Sequence, residues 1–564
     1  MKIDWDVPIR MDDGVELRAD VYRPDAGRHP VMLSYGPYGK GIAFQEGYKT
    51  AWEIMARENP DALAGSSNRY QNWEVVDPEK WVPEGYACLR VDSRGAGRSP
   101  GYLAHNDARE TRDIWECVEW VARQPWSSGA VGMNGISYYA SNQWRAAAAQ
   151  PPHLAAICAW EGWNDAYRES ARHGGIICSF RKNWQDMQVK TVQHGVGSRG
   201  KKNPNTGELA CGPETLSEQQ LVRNREDMWQ AFLSREMDGA YYRERSADLS
   251  KVALPLLTAA NWGGQGLHTR GNFEGFIGAA SRHKWLEVHG GSHWAPFYTD
   301  YGRKLQLEFF DHFLKGKANG WDRRPRVLLN VRHPGERFVQ RTENEWPLAR
   351  TQWTRFYLQP EGMRLAPQPA RGTAITYDPM GDGVTFSIVA ERETEITGPA
   401  ALKVWVSSAT TDADLFVVLR VFAPDGREVL FQGALDPKTP VAQGWLRASH
   451  RKLDAKRSLA YRPYHAHDEK QPLKPGVPAE LDVEIWPTCI VVPAGYRIAL
   501  TIRGRDYEHD DAPASLSNMK NPMRGCGPFT HDDETDRPPQ VFGGKVTLHL
   551  EREAHLLLPV IPPK

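Results

Sequence analysis

Between residues 15 and 314 the sequence alternates strand-like and helix-like segments, and this alternation restricts the fold more than any other feature. Residues 15–22 alternate apolar and polar side chains, as a half-exposed edge strand does. Apolar residues at helical spacing occur at 106–124. Further strands are predicted at 31–35, 87–91, 130–133, 154–159, 254–260 and 284–288. This alternation predicts the α/β class, with a mostly parallel sheet covered by helices.

Two changes in composition divide the chain. From about residue 164 to 251 the sequence is polar and favours helices, so we predict a helical cap inserted into an α/β domain formed by 1–163 and 252–320. After the predicted helix 305–314 and a linker, short β-branched and aromatic runs are separated by Gly, Pro and Asp turns. Residues 321–564 are therefore expected to form an all-β sandwich or jelly roll.

The charge balance excludes several kinds of partner. Seventy Lys plus Arg residues oppose 70 Asp plus Glu residues, which leaves no excess of basic residues for binding nucleic acid or an anionic membrane. No apolar run reaches the roughly 18 residues of a membrane span, and the N-terminal residues lack the apolar segment of a signal peptide. We expect a soluble, cytoplasmic chain with a small-molecule partner. The sequence leaves open whether it forms homo-oligomers.

The cysteine content also limits the function. The seven cysteines are an odd number and include no Cys-x-x-Cys pair. This pattern argues against both a disulfide framework and a zinc site. We therefore expect reduced core cysteines, no bound metal and no organic cofactor.

Ser137 stands at a sharp turn between a predicted strand and a predicted helix. Residues 130–133 supply the strand, Gly135 allows close backbone packing just before the serine, and the alanine-rich residues 141–149 continue as a helix. The N–H groups at the start of a helix stabilise a developing negative charge. Ser137 is therefore a candidate nucleophile.

Several motifs in order along the chain resemble the CocE/NonD hydrolases, the family that includes cocaine esterase and is akin to X-Pro dipeptidyl-peptidases and α-amino-acid ester hydrolases. The family's nucleophile block is similar to Gly135-Ile-Ser-Tyr-Tyr-Ala140, although Ala140 replaces the last glycine. Further similar segments are 36–40, 92–99, 124–126, 131–133, 397–399 and 412–414. The resemblance implies an α/β-hydrolase domain with a C-terminal jelly roll, and a serine hydrolase activity.

A serine nucleophile needs a base, and the base needs an orienting acid. His293 lies in the loop after the predicted strand 284–288 and aligns with the family's Trp-Ser-His sequence, so it is the preferred base. His289 in the same loop is a less favoured alternative, and His268 ranks below it.

The acid is the position at which this sequence departs from the family. Relatives carry an aspartate just after the strand that precedes the histidine strand, but Gly264 falls at about that position here. Other hydrolases of this fold carry the acid one strand earlier, where Glu161 follows a predicted strand. Glu161 is therefore the preferred acid, with Asp165 and Glu274 as alternatives.

The resemblance also implies an oxyanion hole formed by the Tyr38 hydroxyl and the Tyr138 backbone N–H. Tryptophans in segments expected to border the substrate pocket are Trp160, Trp163, Trp262 and Trp294. They favour an aromatic or apolar group on the substrate, although tryptophans fill the interface beneath a cap equally well.

The preferred function is a serine hydrolase of the carboxylesterase type, which cleaves a small ester or amide through an acyl-enzyme. X-Pro dipeptidyl-peptidase and α-amino-acid ester hydrolase or acyltransferase activities are alternatives. The peptidases generally carry an additional helical N-terminal domain, for which the residues before Val15 leave no room. A ligand-binding protein of the same fold, catalytically impaired because Gly264 replaces the family's aspartate, is the remaining alternative.

Overall fold

The computed structural model describes residues 1–370, 373–514 and 523–563. Residues 371–372, 515–522 and 564 of the predicted C-terminal domain lie outside the described residues. The strands up to residue 343 are β1 (Lys2–Arg10), β2 (Glu16–Arg23), β3 (His29–Gly36), β4 (Ala87–Asp92), β5 (Ser127–Ile136), β6 (Leu154–Trp160), β7 (Arg172–His173), β8 (Ile176–Ile177), β9 (Leu256–Asn261), β10 (Lys284–His289), β11 (Val327–His333) and β12 (Arg337–Glu343).

Except for the hairpin β7–β8, these strands form one sheet in the order β1-β2-β4-β3-β5-β6-β9-β10-β11-β12. Pairing is parallel from β4 through β3, β5, β6, β9 and β10 to β11. It is antiparallel at the two ends, between β1 and β2, β2 and β4, and β11 and β12. The predicted mostly parallel α/β sheet is confirmed.

The helix that the sequence predicts at 106–124 is present and begins after Asp107, whose side chain accepts a hydrogen bond from the Glu110 N–H. No helix of the described residues is both long and apolar enough to cross a membrane. The α-helices of the described residues are α1 (Phe44–Gly47), α2 (Lys49–Glu58), α3 (Pro78–Trp81), α4 (Ala108–Ala122), α5 (Tyr138–Ala148), α6 (Phe180–Trp184), α7 (Glu218–Arg223), α8 (Met228–Leu233), α9 (Ala240–Arg245), α10 (Thr269–Gly278), α11 (Ala295–Tyr298), α12 (Asp300–Lys315) and, in the C-terminal domain, α13 (Pro539–Phe542).

Successive side chains of a strand point to opposite faces of the sheet. Both sets are apolar here, and helices cover both faces. In β3, Met32 belongs to the same apolar cluster as Phe309 and Phe310 of α12. Its neighbours Val31 and Leu33 belong to the cluster that contains the apolar faces of α4 and α5. The loops that carry the candidate site residues lie at the carboxyl ends of the parallel strands, where α/β folds place their sites.

The first sheet continues past residue 320, where the sequence predicted the start of the C-terminal domain. Val327 of β11 pairs with Leu286 of β10, and Val327, Leu329 and Val331 are buried in one cluster with Phe273 of α10. Alternating apolar residues occur in strands of both domains, so composition alone does not mark this boundary.

The cap lies between β6 and β9. It contains α6 to α9, the β7–β8 hairpin and two π-helical segments, Ala166–Ala171 and Gln185–Val189. Its Arg172 side chain lies 2.6 Å from a carboxylate oxygen of Asp536, which ties the cap to the C-terminal domain.

The C-terminal strands form a second sheet in the order β15-β22-β17-β20-β19-β18-β21-β16-β14-β13-β23, and β23 pairs again with β17. The sheet therefore closes on itself, and the predicted all-β domain is confirmed. Its strands are β13 (Gln352–Gln359), β14 (Arg364–Ala366), β15 (Ala374–Tyr377), β16 (Val384–Val389), β17 (Thr394–Ser408), β18 (Asp414–Phe422), β19 (Ala442–Arg447), β20 (Ala479–Val492), β21 (Arg497–Arg503), β22 (Val546–His549) and β23 (His555–Ile561).

A turn of the C-terminal domain touches the loops of the catalytic domain. The carbonyl oxygen of Ala434 accepts a hydrogen bond from the His293 N–H at 2.9 Å. A Cβ added to Gly263 would lie 2.4 Å from the Cα of Gly433, so the two backbones pass in direct contact. The C-terminal domain thus helps to fix the loop that carries His293.

Candidate active site

Ser137 lies between β5 and α5 with φ 59° and ψ −111°. A positive φ is sterically costly for a residue with a Cβ atom. The turn is held because the Ser137 N–H points to the carbonyl oxygens of Trp160 and Glu161, at 3.1 and 3.0 Å. A Cβ on Gly135 would lie 2.5 Å from the Tyr139 Cβ, so that position has room only for glycine. The turn presents the Ser137 hydroxyl at the carboxyl edge of the sheet.

His268, just before α10, contacts this hydroxyl. Its Nε2 lies 3.2 Å from Ser137 Oγ, and the ring is buried. Burial, together with the positive charge of His293, holds the pKa of His268 well below its usual value, so the ring is neutral near pH 7. The sequence ranked His268 below His293 and His289, because loop composition does not show where a side chain points.

His293 lies between two carboxylates. Its Nδ1 is 2.7 Å from Glu161 Oε2, and its Nε2 is 3.0 Å from Glu74 Oε1. Burial disfavours the charged ring, but Glu161 and then Glu74 outweigh burial and raise the pKa of His293 to about 10. The ring stacks on His268, with centroids 5.0 Å apart and an angle of 3° between the planes. Both rings line one cavity with Ser137.

Glu161 follows β6 and is hydrogen-bonded to two histidines, His293 and His289. Its Oε1 lies 3.0 Å from His289 Nε2 and accepts a hydrogen bond from Asn261 Nδ2 at 3.2 Å. Burial alone would raise the pKa of Glu161, but His293 and His289 outweigh it and lower the pKa to about 2. Asn261 ends β9, and its amide also donates to the Gly291 carbonyl oxygen at 2.8 Å. Glu161 is therefore ionised and fixed toward the histidine loop.

The two alternative acids contact arginines instead. Asp165 caps the π-helical segment Ala166–Ala171 and lies 2.9 Å from Arg168 Nη1. Glu274 lies 3.3 Å from Arg462 Nη1. Of the three predicted acids, Glu161 is the one placed against His293.

Glu74 is a site residue that the sequence did not reveal. It lies in the loop before α3 with φ 62°, and its carbonyl oxygen accepts a hydrogen bond from the Ile136 N–H at 2.9 Å, which brings it beside the nucleophile turn. Burial raises the pKa of Glu74 to about 7, and the hydrogen bond with His293 opposes that shift. A single glutamate in a polar loop gives no sequence signal that would distinguish it from a solvated one.

The two predicted oxyanion donors also line the cavity. The Tyr38 hydroxyl oxygen accepts a hydrogen bond from Trp184 Nε1 at 3.0 Å, which leaves its own proton to donate elsewhere. Burial raises the pKa of Tyr38 well above its usual value, so that proton is retained. Tyr138 is the first residue of α5, where a backbone N–H has no acceptor within its own helix.

Of the four tryptophans predicted at the pocket, Trp163 lines the cavity. The other three lie in the layer behind it: Trp160 stacks on His289 at 5.1 Å, and Trp294 packs 5.6 Å from Trp73. Trp262 is farther away, and its Nε1 donates to a carbonyl oxygen of β11 at 2.8 Å. These three side chains are fully buried, and they are not among the residues that line the cavity.

Further residues from all three parts of the chain line the cavity. Trp73 and Glu74 come from the catalytic domain, Phe180, Arg181 and Trp184 from the cap. The C-terminal domain adds a leucine at position 435. The cavity is tight, with a volume of about 30 Å³.

Two side-chain clusters of the described residues have the composition of metal sites. One consists of Glu161, His268 and His293, in which Glu161 is hydrogen-bonded to His293 and the two rings are stacked. In the other, His173 Nδ1 and His531 Nε2 are 2.7 Å apart, closer than the roughly 3.3 Å expected of two nitrogens on one tetrahedral zinc. Burial raises the pKa of its third member, Cys178, to about 12, which keeps the thiol protonated. The second cluster therefore fits hydrogen bonding better than metal coordination.

Comparison with known proteins identifies two domains in this chain. Residues 13–295 match the X-Pro dipeptidyl-peptidase (S15 family) domain, and residues 319–520 match the X-Pro dipeptidyl-peptidase C-terminal non-catalytic domain. Cocaine esterase from a Rhodococcus species is 25% identical over 515 aligned residues, which cover 75% of this chain and 81% of the esterase.

Solved structures show the same similarity over the full length. The crystal structure of a CocE/NonD family hydrolase from Staphylococcus aureus is 30% identical, covers 99% of this chain and 94% of its own, and has a TM-score of 0.84. An aminopeptidase from a marine sediment Thaumarchaeota archaeon shares the fold at 14% identity and a TM-score of 0.70, covering 100% of this chain and 96% of its own. The resemblance predicted from the motifs is confirmed: this chain belongs to the CocE/NonD family of serine hydrolases.

Proposed function

We propose that this protein hydrolyses a carboxylic ester or amide of a small substrate through an acyl-enzyme formed on Ser137. The observation that carries the proposal is the strained turn that holds Ser137 Oγ 3.2 Å from a neutral histidine, beside a second histidine oriented by a buried carboxylate. A hydroxyl becomes a nucleophile when a base within reach takes its proton.

We assign the general base to His293 and a positioning role to His268. His293 has the orienting carboxylate of a triad base, through Glu161 at 2.7 Å. Transfer of the serine proton to His268 while His293 keeps its own proton would instead place two cations in rings that are stacked 5.0 Å apart. In the reactive form His293 is neutral and its Nε2 turns from Glu74 to Ser137, while His268 holds the hydroxyl in place.

The proposed reaction consists of acylation of Ser137 followed by hydrolysis of the acyl-enzyme. Ser137 Oγ bonds to the substrate carbonyl carbon as its proton moves to His293 Nε2. The tetrahedral oxyanion is stabilised by the Tyr38 hydroxyl and the Tyr138 N–H, of which each donor is worth roughly 3–4 kcal/mol of barrier. His293 gives the proton to the departing alcohol or amine. A water molecule then attacks the acyl-enzyme as its proton moves to His293, which returns that proton to Ser137 Oγ as the carboxylic acid leaves.

Esters are the preferred substrates in this proposal. Tyr38, Trp73, Trp163 and Trp184 present aromatic surface to the cavity, which suits an aromatic or apolar acyl or alcohol group. An exopeptidase needs an anionic partner for the substrate's terminal ammonium group. Glu74 is the carboxylate that lines the cavity within the described residues, and it is hydrogen-bonded to His293. This occupancy supports a carboxylesterase over an X-Pro dipeptidyl-peptidase.

The test is labelling with a fluorophosphonate probe, followed by peptide mapping. We expect a stoichiometric adduct on Ser137 and none in Ser137→Ala. His293→Gln should slow labelling by about 10³-fold or more, as expected for loss of a triad base, whereas His268→Gln should slow it by no more than about tenfold. No adduct on folded protein would contradict the proposal. The reverse order of the two histidine variants would transfer the base role to His268.

A further inference from the structure

Arg181 of α6 is a buried cation in the wall of the catalytic cavity. Its side chain lines the same cavity as Ser137 and His268, and its exposed fraction is 3%. Its Nε donates to Ser170 Oγ at 2.8 Å. The guanidinium carbon lies 4.8 Å from the centroid of Trp184 and 5.5 Å from that of Trp163. The cap thus holds a fixed positive charge over the nucleophile.

Within the described residues, no carboxylate forms an ion pair with Arg181, whereas two other buried arginines each have one. Arg145 lies 2.8 Å from Glu110, and Arg270 lies 2.8 Å from Glu169. Burial lowers the pKa of Arg181 to about 10, and the groups that oppose this shift are phenols and a thiol instead of carboxylates. Burying a charge without an opposite partner is unfavourable, and aromatic faces offset it only in part.

The sign of the charge restricts what can complete the site. Glu74, the carboxylate that lines the cavity in the described part of the chain, is hydrogen-bonded to His293, so it does not neutralise Arg181. The planar guanidinium group matches a carboxylate through two parallel hydrogen bonds, which a neutral ligand cannot reproduce. An anion that enters with the substrate would supply the charge that the protein itself does not.

We propose that Arg181 binds a carboxylate group of the substrate, so that the preferred substrates are esters or amides that carry a carboxylate on the acyl or the alcohol side. This inference rests on the proposed serine hydrolase function and narrows its substrate class. Arg181 is a specificity-determining residue in this proposal, and the aromatic rings around it hold the apolar part of the same substrate.

The experiment measures protection of Ser137 from the fluorophosphonate probe by matched pairs of small molecules. Benzoate is compared with benzamide, and adipate with adipamide, because each pair differs in charge but hardly in size. We expect at least one carboxylate to protect at a tenfold or more lower concentration than its amide. Equal protection within both pairs, or protection by neither, overturns the proposal.

Variants at position 181 link the preference to the residue. Arg181→Met should abolish the preference for carboxylates, and Arg181→Lys should keep part of it, while both still react with the probe. Arg243→Met is the matched control, because Arg243 is an exposed cap arginine whose loss changes the net charge equally. An unchanged preference in Arg181→Met, or its loss in Arg243→Met, overturns the proposal.

The outcomes distinguish failure of the carboxylate site at Arg181 from failure of the serine hydrolase activity. Labelling of the wild-type protein without carboxylate preference contradicts the Arg181 site and leaves the serine hydrolase in place. Absence of labelling contradicts both. If Arg181→Met does not fold, the wild-type pairs and Arg181→Lys still decide the question.

Discussion

The two walls of the cavity balance their charges differently. On the sheet side, Glu161 lies within 3.0 Å of His293 and His289, and Glu74 lies 3.0 Å from His293. On the cap side, Arg181 is surrounded by aromatic rings and, within the described residues, has no carboxylate partner. The catalytic wall is thus electrostatically complete without a ligand, whereas the cap wall is not. This difference suggests that the sheet supplies the reaction and the cap selects the substrate.

The largest expected effect comes from breaking the charge balance of the sheet side at Glu161. Glu161→Gln should reduce kcat/KM for a neutral 4-nitrophenyl ester by about 10³- to 10⁴-fold, because a triad base without its carboxylate loses orientation and charge stabilisation. The matched control is Glu274→Gln, whose carboxylate contacts Arg462 instead of a histidine. Activity of Glu161→Gln within a few-fold of wild type would remove this residue from the triad.

A smaller effect is expected at Tyr38, where the two walls meet through its hydrogen bond with Trp184. Tyr38→Phe should lower kcat by about 10²- to 10³-fold with little change in KM, because an oxyanion donor acts mainly in the transition state. Tyr48→Phe is the control: its ring lies 6.2 Å from Tyr38 and is stacked on Trp73. Equal losses in the two variants would show that Tyr38 acts through packing.

The smallest expected effect is a change in pH dependence at Glu74. The base form of His293 exists above its pKa, which the two carboxylates raise to about 10. Glu74→Gln removes one of them and should lower the pKa of His293, so the acid limb of kcat/KM should move to lower pH by about one unit.

The matching measurement compares full pH profiles of kcat/KM for wild type and Glu74→Gln, since this parameter reports ionisations of the free enzyme. The wild-type profile should rise toward alkaline pH. A limb that stays in place, or moves to higher pH, would show that Glu74 does not control the protonation of His293. Rates at the alkaline plateau should differ little, which distinguishes a shifted pKa from a damaged site.

Local patterns predicted the parts of the structure that depend on neighbouring residues. The helical spacing at 106–124 corresponds to α4, and the glycine before Ser137 corresponds to a turn in which a larger side chain has no room. Glu161 directly follows β6, which corresponds to the strand predicted at 154–159, but its assignment as the acid also used the resemblance to other hydrolases of this fold. These features are fixed by backbone periodicity and close approach, which a sequence records directly.

Side-chain direction in loops could not be predicted in the same way. Glu74 is brought to the cavity by a distant backbone contact, the hydrogen bond between the Ile136 N–H and the Glu74 carbonyl oxygen, and His268 reaches Ser137 across 131 residues of sequence. Trp262 and Trp294 neighbour the site in sequence but face the layer behind it. The continuation of the sheet into β11 was also hidden, since its pairing with β10 depends on tertiary context.

The hydrogen bond from the His293 N–H to the Ala434 carbonyl oxygen joins two segments that are synthesised at different times. During synthesis, Ser137, Glu161 and His293 leave the ribosome well before the turn that carries Ala434. A nascent chain therefore contains every residue of the proposed triad before the loop around His293 is anchored. The loop around His293 is therefore anchored only after the turn with Ala434 has been synthesised and has folded against it.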